Sequence, residues 1–117
     1  MFLLITLTIL FGFVLRTYAW DANNPESVKE YLYYVSTKEG LNVTDVLAVA
    51  KCESGIRANA VGDHGNSYGV FQIHLPSHPS VTKEMALNPF LNINWAIDKL
   101  LEGKWSMWTC ARQLGLT

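Results

Sequence analysis

The sequence predicts a small, mainly α-helical domain of the α+β class, with a short irregular or β excursion in its middle and one disulfide. Three observations lead there. Two amphipathic, capped segments follow one another between residues 24 and 54, a stretch at residues 55–69 is dense in Gly, Asn, Asp and His, and a further helical pattern opens at Asn88-Pro89. A chain of 117 residues has room for one domain.

The first 19 residues, "MFLLITLTILFGFVLRTYA", stand apart. The apolar run at residues 2–15 would rise only about 21 Å as a helix, short of the ~20 residues that span a bilayer. That length suits the apolar core of a secretory signal, and Thr17-Tyr18-Ala19 offers small residues for cleavage. No Lys or Arg precedes the run, so a retained N-terminal anchor stays open beside the cleaved signal. The expected division is therefore a signal peptide or anchor at 1–19 and one domain at 20–117, secreted or held in the cell envelope. Membrane contact is expected only if the segment is uncleaved. Arg16 is its one charge, so the remainder carries all but one of the chain's 9 Lys and Arg and all 10 Asp and Glu, a net charge near −2. Nothing in that balance suits a nucleic-acid partner or an anionic lipid surface. Recognition by shape and hydrogen bonding is expected, and a monomer is the default.

"NNPESVKEYLYYVSTKEG" opens with Asn24 as N-cap and Pro25 at the first helical position, and Gly40 closes it. Val28, Tyr31, Leu32 and Val35 recur at i, i+3, i+4 and i+7, so one stripe packs inward. "LNVTDVLAVAKCES" repeats the design, with Asn42 as cap, Asp45 three residues on, and Val46, Leu47 and Ala50 facing the core. Residues 55–69 read as a long loop or small β excursion, and "VFQI" as a short buried stretch. "HLPSHPS" is loop, "TKEMAL" a short helical piece, and "NPFLNINWAIDKLLEG" a helix ending near Gly103. Trp105 and Trp108 follow at i and i+3 beside Cys110.

A domain this small gains from a staple. Cys52 and Cys110 are the chain's 2 cysteines, and export would place them in an oxidising compartment, where a bridge would contribute about 2–5 kcal/mol. A zinc site drawing on His74 and His78 is the weaker alternative, because Pro76 between them breaks any shared helix face. No metal or organic cofactor is expected.

"KCES" puts Glu53 at the end of the second helix. A glutamate there meets the negative end of the helix dipole, which disfavours ionisation and raises its pKa if it is enclosed. A general acid working near neutrality needs that shift. Alone, such a glutamate is more often a solvated surface charge.

The combination says more. Glu53-Ser54, then Gly69-Val70-Phe71-Gln72-Ile73, then Asn92-Ile93 resemble the lysozyme-like lytic transglycosylases, including the soluble murein transglycosylase catalytic domain and goose-type lysozyme. "KCES" and "WSMWTC" are similar to the two ends of the short variant with Cys before the Glu. The resemblance spans roughly residues 27–112. It implies a lysozyme-like fold that cuts the β-1,4 bond between N-acetylmuramic acid and N-acetylglucosamine in peptidoglycan glycan strands. Glu53 would act as acid and then base, closing a 1,6-anhydro ring, so one carboxylate suffices. Ser54, Tyr68, Gly69, Phe71, Gln72 and Asn92 would bind substrate. Gln72, between Phe71 and Ile73, is expected to point to the opposite side of an extended segment.

The late Tyr-Asn segment of many transglycosylases is absent, and "WSMWTC" stands in its place. Its tryptophans either stack on sugar or cover the disulfide, the core reading being the stronger. A hydrolytic lysozyme would need a second carboxylate to place water, and Asp63 is the best placed by order. Two other classes remain. Cys52 with His64, His74 or His78 would suit a papain-like endopeptidase, although a catalytic cysteine belongs at a helix start. The last is a non-catalytic glycan-binding module of the same fold.

Overall fold

The computed structural model describes residues 20–117, and the signal or anchor segment expected at 1–19 lies outside the described residues. Helix α1 runs Pro25–Lys38 and α2 runs Val43–Ser54. Asn24 caps α1 by accepting the Glu26 and Ser27 N–H groups, and Asn42 caps α2 by accepting that of Asp45. These bonds satisfy donors that a helix start leaves without intrahelical partners. Gly55 ends α2 in the left-handed conformation at φ 67°, a conformation that costs glycine little.

The middle excursion is a three-stranded antiparallel sheet in the order β1-β2-β3, formed by Val61–Gly62, Ser67–Tyr68 and Ile73–His74. Val61 pairs with Tyr68, and Ser67 with His74. A 3-10 turn at Asp63–Gly65 joins β1 to β2, and residues 69–72 turn the chain from β2 into β3. Gln72 N–H donates to Gly69 O at 3.0 Å, and Gln72 itself sits at φ 48°. Gln72 thus lies in a turn, and the extended segment expected around it is shorter than its sequence suggests. A second 3-10 turn, Leu75–Ser77, leads on to α3 at Lys83–Leu87 and α4 at Pro89–Leu101. Asn88 caps α4 through the Phe90 and Leu91 N–H groups, with Pro89 at its first position. A third 3-10 turn, Trp105–Met107, precedes α5 at Thr109–Gln113.

α1 packs on both α2 and α4, and α2 also meets α5. The core joins Val28 and Leu32 of α1, Val46, Val49 and Ala50 of α2, and Ile93, Ala96, Ile97 and Leu100 of α4. Val70 and Phe71, both wholly buried, project from the β2–β3 turn into it. Burying a side chain of this size contributes about 1.5–3 kcal/mol, so the turn is pinned by its own apolar residues. Ile73, Val81 and Ala86 make a smaller cluster under the sheet. Cys52 and Cys110 form a disulfide with Cα atoms 5.9 Å apart, tying the end of α2 to α5. The architecture is a small, mostly helical α+β domain.

Candidate active site

Glu53 stands in the last turn of α2, one residue after the half-cystine Cys52 and one before Ser54, which is buried. Its carboxylate opens onto a cleft of about 510 Å³ between the sheet and the helices. Asp63, Ser67, Gln72, Ile73 and His74 line the sheet side. His78 and Trp95 close one part of it, and Met107, Trp108 and Thr109 form the wall leading into α5.

The frame around Glu53 is tied at three points. Glu53 Oε2 accepts the Cys110 N–H at 3.4 Å, a donor in the first turn of α5 that has no intrahelical partner. The neighbouring Cys52–Cys110 bridge holds that donor in place. Ser54 Oγ donates to Val70 O at 2.6 Å and accepts the Arg57 N–H at 3.2 Å, joining the helix end to the β2–β3 turn. Trp108 Nε1 donates to Phe71 O at 2.9 Å, joining the same turn to the start of α5.

Burial holds the Glu53 carboxyl above the ordinary 4.5 of a glutamate, while the Cys110 N–H and the Arg112 guanidinium pull the other way. Arg112 is itself oriented by the Ser106 carbonyl and by Thr109 Oγ1. The shift runs in the direction expected for a carboxylate at the negative end of α2, and loss of water around the half-buried carboxyl is its main cause. Such a group stays protonated at a higher pH than a solvated glutamate and can still deliver that proton within the cleft.

Of the residues expected to bind substrate, only Gln72 lines the cleft with Glu53. Its Nε2 donates to Ala60 O and Gly69 O, and its Oε1 lies against Gly62, so the amide also braces the sheet. Asn92 is wholly buried and works as an internal clamp. It accepts the Phe71 N–H at 2.9 Å and donates to Tyr68 O at 3.0 Å and Ala86 O at 2.8 Å. Gly69 packs against that clamp at φ 81°, where an added Cβ would overlap Ala86 O and Asn92 Nδ2. Phe71 is core, and Ser54 is engaged with backbone. Tyr68 lies on the small cluster, its hydroxyl donating to Gly65 O and its ring under Lys83 Nζ. The expected glycan contacts of Ser54, Tyr68, Gly69, Phe71 and Asn92 thus become contacts that shape the cleft from behind.

Asp63 does share the cleft, yet it is engaged, with its Oδ2 3.0 Å from His74 Nε2. The other ring nitrogen of His74 lies 2.7 Å from Ser77 Oγ. With both cysteines in the bridge, no thiolate remains for a Cys52–His pair or for zinc. Among the described residues, no three His, Cys, Asp or Glu side chains converge to hold a metal ion. Trp105 packs against the core, whereas Trp108 is both buried and at the cleft wall.

Sequence reasoning missed Trp95, His78 and Met107 as cleft residues. Trp95 sits beside the buried stripe of α4 and stays half-exposed, with its ring edge-on to His78 at 4.7 Å and to Trp108 at 6.2 Å. No spacing rule separates such a residue from an ordinary surface aromatic. No protein-family model, curated protein or solved structure matches this chain.

Proposed function

We propose that this chain is an exported, lysozyme-like lytic transglycosylase that cleaves peptidoglycan glycan strands, with Glu53 as its single acid and base. The observation that carries the reading is one carboxyl group, raised in pKa by burial and fixed by a backbone N–H, at the side of an open cleft. The order of the three sequence motifs supplies the substrate class.

In this reading Glu53 gives its proton to the glycosidic oxygen as the bond to the muramic acid C1 breaks. The resulting carboxylate then accepts the proton of the C6 hydroxyl while that oxygen bonds to C1, closing the 1,6-anhydro ring and restoring the acid. A single carboxyl group serves both half-steps, and its raised pKa suits the first. Gln72 stands on the wall opposite α5 with its amide held in place, which suits a fixed polar contact to the sugar.

One observation favours hydrolysis as a second reading: Asp63 faces the same cleft, where it would place water. Digesting purified peptidoglycan with the oxidised protein and with Glu53→Gln, followed by mass spectrometry of the fragments, tests both. Anhydro-muramyl ends lost in the variant are the expected result. Reducing ends would make the chain a lysozyme and give Asp63 its role. Absence of cleavage would refute the enzyme and leave a glycan-binding module.

A further inference from the structure

Asp63, His74 and Ser77 form a chain of polar contacts that the single-carboxyl reaction at Glu53 leaves unused. His74 Nε2 stands 3.0 Å from Asp63 Oδ2, and His74 Nδ1 stands 2.7 Å from Ser77 Oγ. In the sheet order β1-β2-β3, Asp63 follows β1 and has to reach past β2 to meet His74 on β3. It does so from a turn in which Asp63 and His64 sit at φ 52° and 57°, a left-handed conformation uncommon outside glycine. Ser77 closes the 3-10 turn that follows β3. Asp63 and His74 line the cleft, and Ser77 is exposed. We propose that Ser77, His74 and Asp63 form a second site that hydrolyses short-chain esters of polar alcohols, with Ser77 as nucleophile, His74 as its base and Asp63 orienting His74. This activity goes beyond glycan cleavage and does not rest on it.

The roles follow from what each atom can do. A carboxylate only accepts, so the proton of the neutral His74 ring lies on Nε2, facing Asp63, and Nδ1 is left to accept from the Ser77 hydroxyl. A hydroxyl bonded to a base that a third group orients is the arrangement of covalent acyl transfer, recognised by geometry whatever the order of the residues. In the first half-reaction Nδ1 takes the hydroxyl proton as Ser77 Oγ bonds to the acyl carbon. The ester C–O bond breaks, and the alcohol leaves with that proton. In the second, water gives a proton to Nδ1 as its oxygen bonds to the acyl carbon. The bond to Oγ breaks, Oγ regains the proton, and the carboxylic acid leaves. Ester and water become alcohol and acid, and no other reactant is needed. Ser77 is exposed and not set at the foot of an apolar channel, so the acyl chain is short. The sheet side of the cleft, with Asp63, Ser67, Gln72 and His74, suits a polar alcohol half.

The test is hydrolysis of 4-nitrophenyl acetate by the intact oxidised protein, joined to labelling with phenylmethylsulfonyl fluoride and mass spectrometry of the peptides. The protein should exceed free N-acetylhistidine, at the same concentration of imidazole, by about 100-fold. Ser77→Ala keeps all 3 histidines and should fall to the rate of the free compound, as should His74→Gln. The sulfonyl group should be found on Ser77, and His74→Gln should abolish that labelling. Asp63→Asn tolerates the same left-handed turn and should lower the rate by about 10-fold or more. Nitrogen NMR reads its positioning role directly: the His74 proton should lie on Nε2 in the wild type and move to Nδ1 in a measurable share of Asp63→Asn molecules. A rate unchanged in Ser77→Ala, a Ser77 left unlabelled, labelling that survives in His74→Gln, or a His74 tautomer indifferent to Asp63→Asn would each overturn the proposal. Labelling of the wild type needs no variant, so a variant that fails to fold does not shield it.

Discussion

Asn92→Ala removes three hydrogen bonds at once from a wholly buried site. The lost amide leaves the Phe71 N–H and the Tyr68 and Ala86 carbonyls without that partner. A buried group stripped of its partner costs about 1–3 kcal/mol, so three give roughly 3–9 kcal/mol before relaxation. The β2–β3 turn can yield toward water on the cleft side, which reduces the expected loss to about 3–5 kcal/mol. Domains of this size hold about 5–15 kcal/mol in total, so the variant should sit near the edge of folding. Urea unfolding followed by tryptophan fluorescence measures it, and the midpoint should fall by about 2–3 M at the slopes typical of small domains. Trp108, bonded to the same turn at Phe71 O, is a reporter in the right place. A loss below about 1 kcal/mol, coupled to weaker glycan binding in a fully folded protein, would refute the clamp and return Asn92 to the substrate.

Four further outcomes follow from the same frame. Glu53→Gln should abolish glycan cleavage while leaving the fold intact, because a glutamine oxygen still accepts the Cys110 N–H; fragment analysis and thermal melts check the two halves together. Arg112→Ala removes a charge that favours the ionised carboxyl, so the Glu53 pKa should rise further and the alkaline limb of a pH–activity profile should move to higher pH. The sign follows from the proposed role of Glu53 as acid: activity should be present while Glu53 is protonated and be lost as pH climbs through its folded pKa, which already lies above 4.5. Reducing the disulfide, which spans a sequence separation of 58, should lower stability by about 4 kcal/mol on the chain-entropy account, visible as a shift in the denaturation midpoint. Gly69→Ala should lower the melting temperature more than an ordinary loop substitution, since it adds strain at φ 81° and overlap with the Asn92 clamp.

The helices were legible because their ends are written in side chains. Asn24, Asn42 and Asn88 each stand where a cap bond forms, and Pro25 and Pro89 occupy first helical positions. The Cys52–Cys110 bridge and the place of Glu53 in the last turn of α2 were legible from residue type and order. Asn92 carried a signal of its own burial: it sits on the stripe of Pro89, Ile93, Ala96, Ile97 and Leu100, where a polar residue must find internal partners. Gln72 was harder. A non-glycine residue at φ 48° has no sequence mark, and alternation around it imitates a strand. His78 and Trp95 come together only through the path of the chain between β3 and α4, which no local pattern encodes.

Ser54 and Asn92, two of the residues expected to bind substrate, instead grip the β2–β3 turn beside Glu53, and the arrangement has a physical logic. A carboxyl group keeps a raised pKa only while its surroundings stay dry on one side, and that requires a wall that cannot open. The wall here is the β2–β3 turn, gripped by Ser54 from α2, by Asn92 from α4 and by Trp108 from the start of α5. The disulfide then fixes the distance between α2 and α5, across which the Cys110 N–H reaches Glu53. Loosening the Ser54, Asn92 or Trp108 contacts should admit water to the carboxyl and lower its pKa, whereas loss of the Cys110 N–H would remove a bond that favours the ionised form and act in the opposite direction. Measuring the Glu53 pKa in Ser54→Ala would test that coupling directly: Ser54 is buried away from the cleft lining, and the expected fall in pKa can reach Glu53 only through the frame.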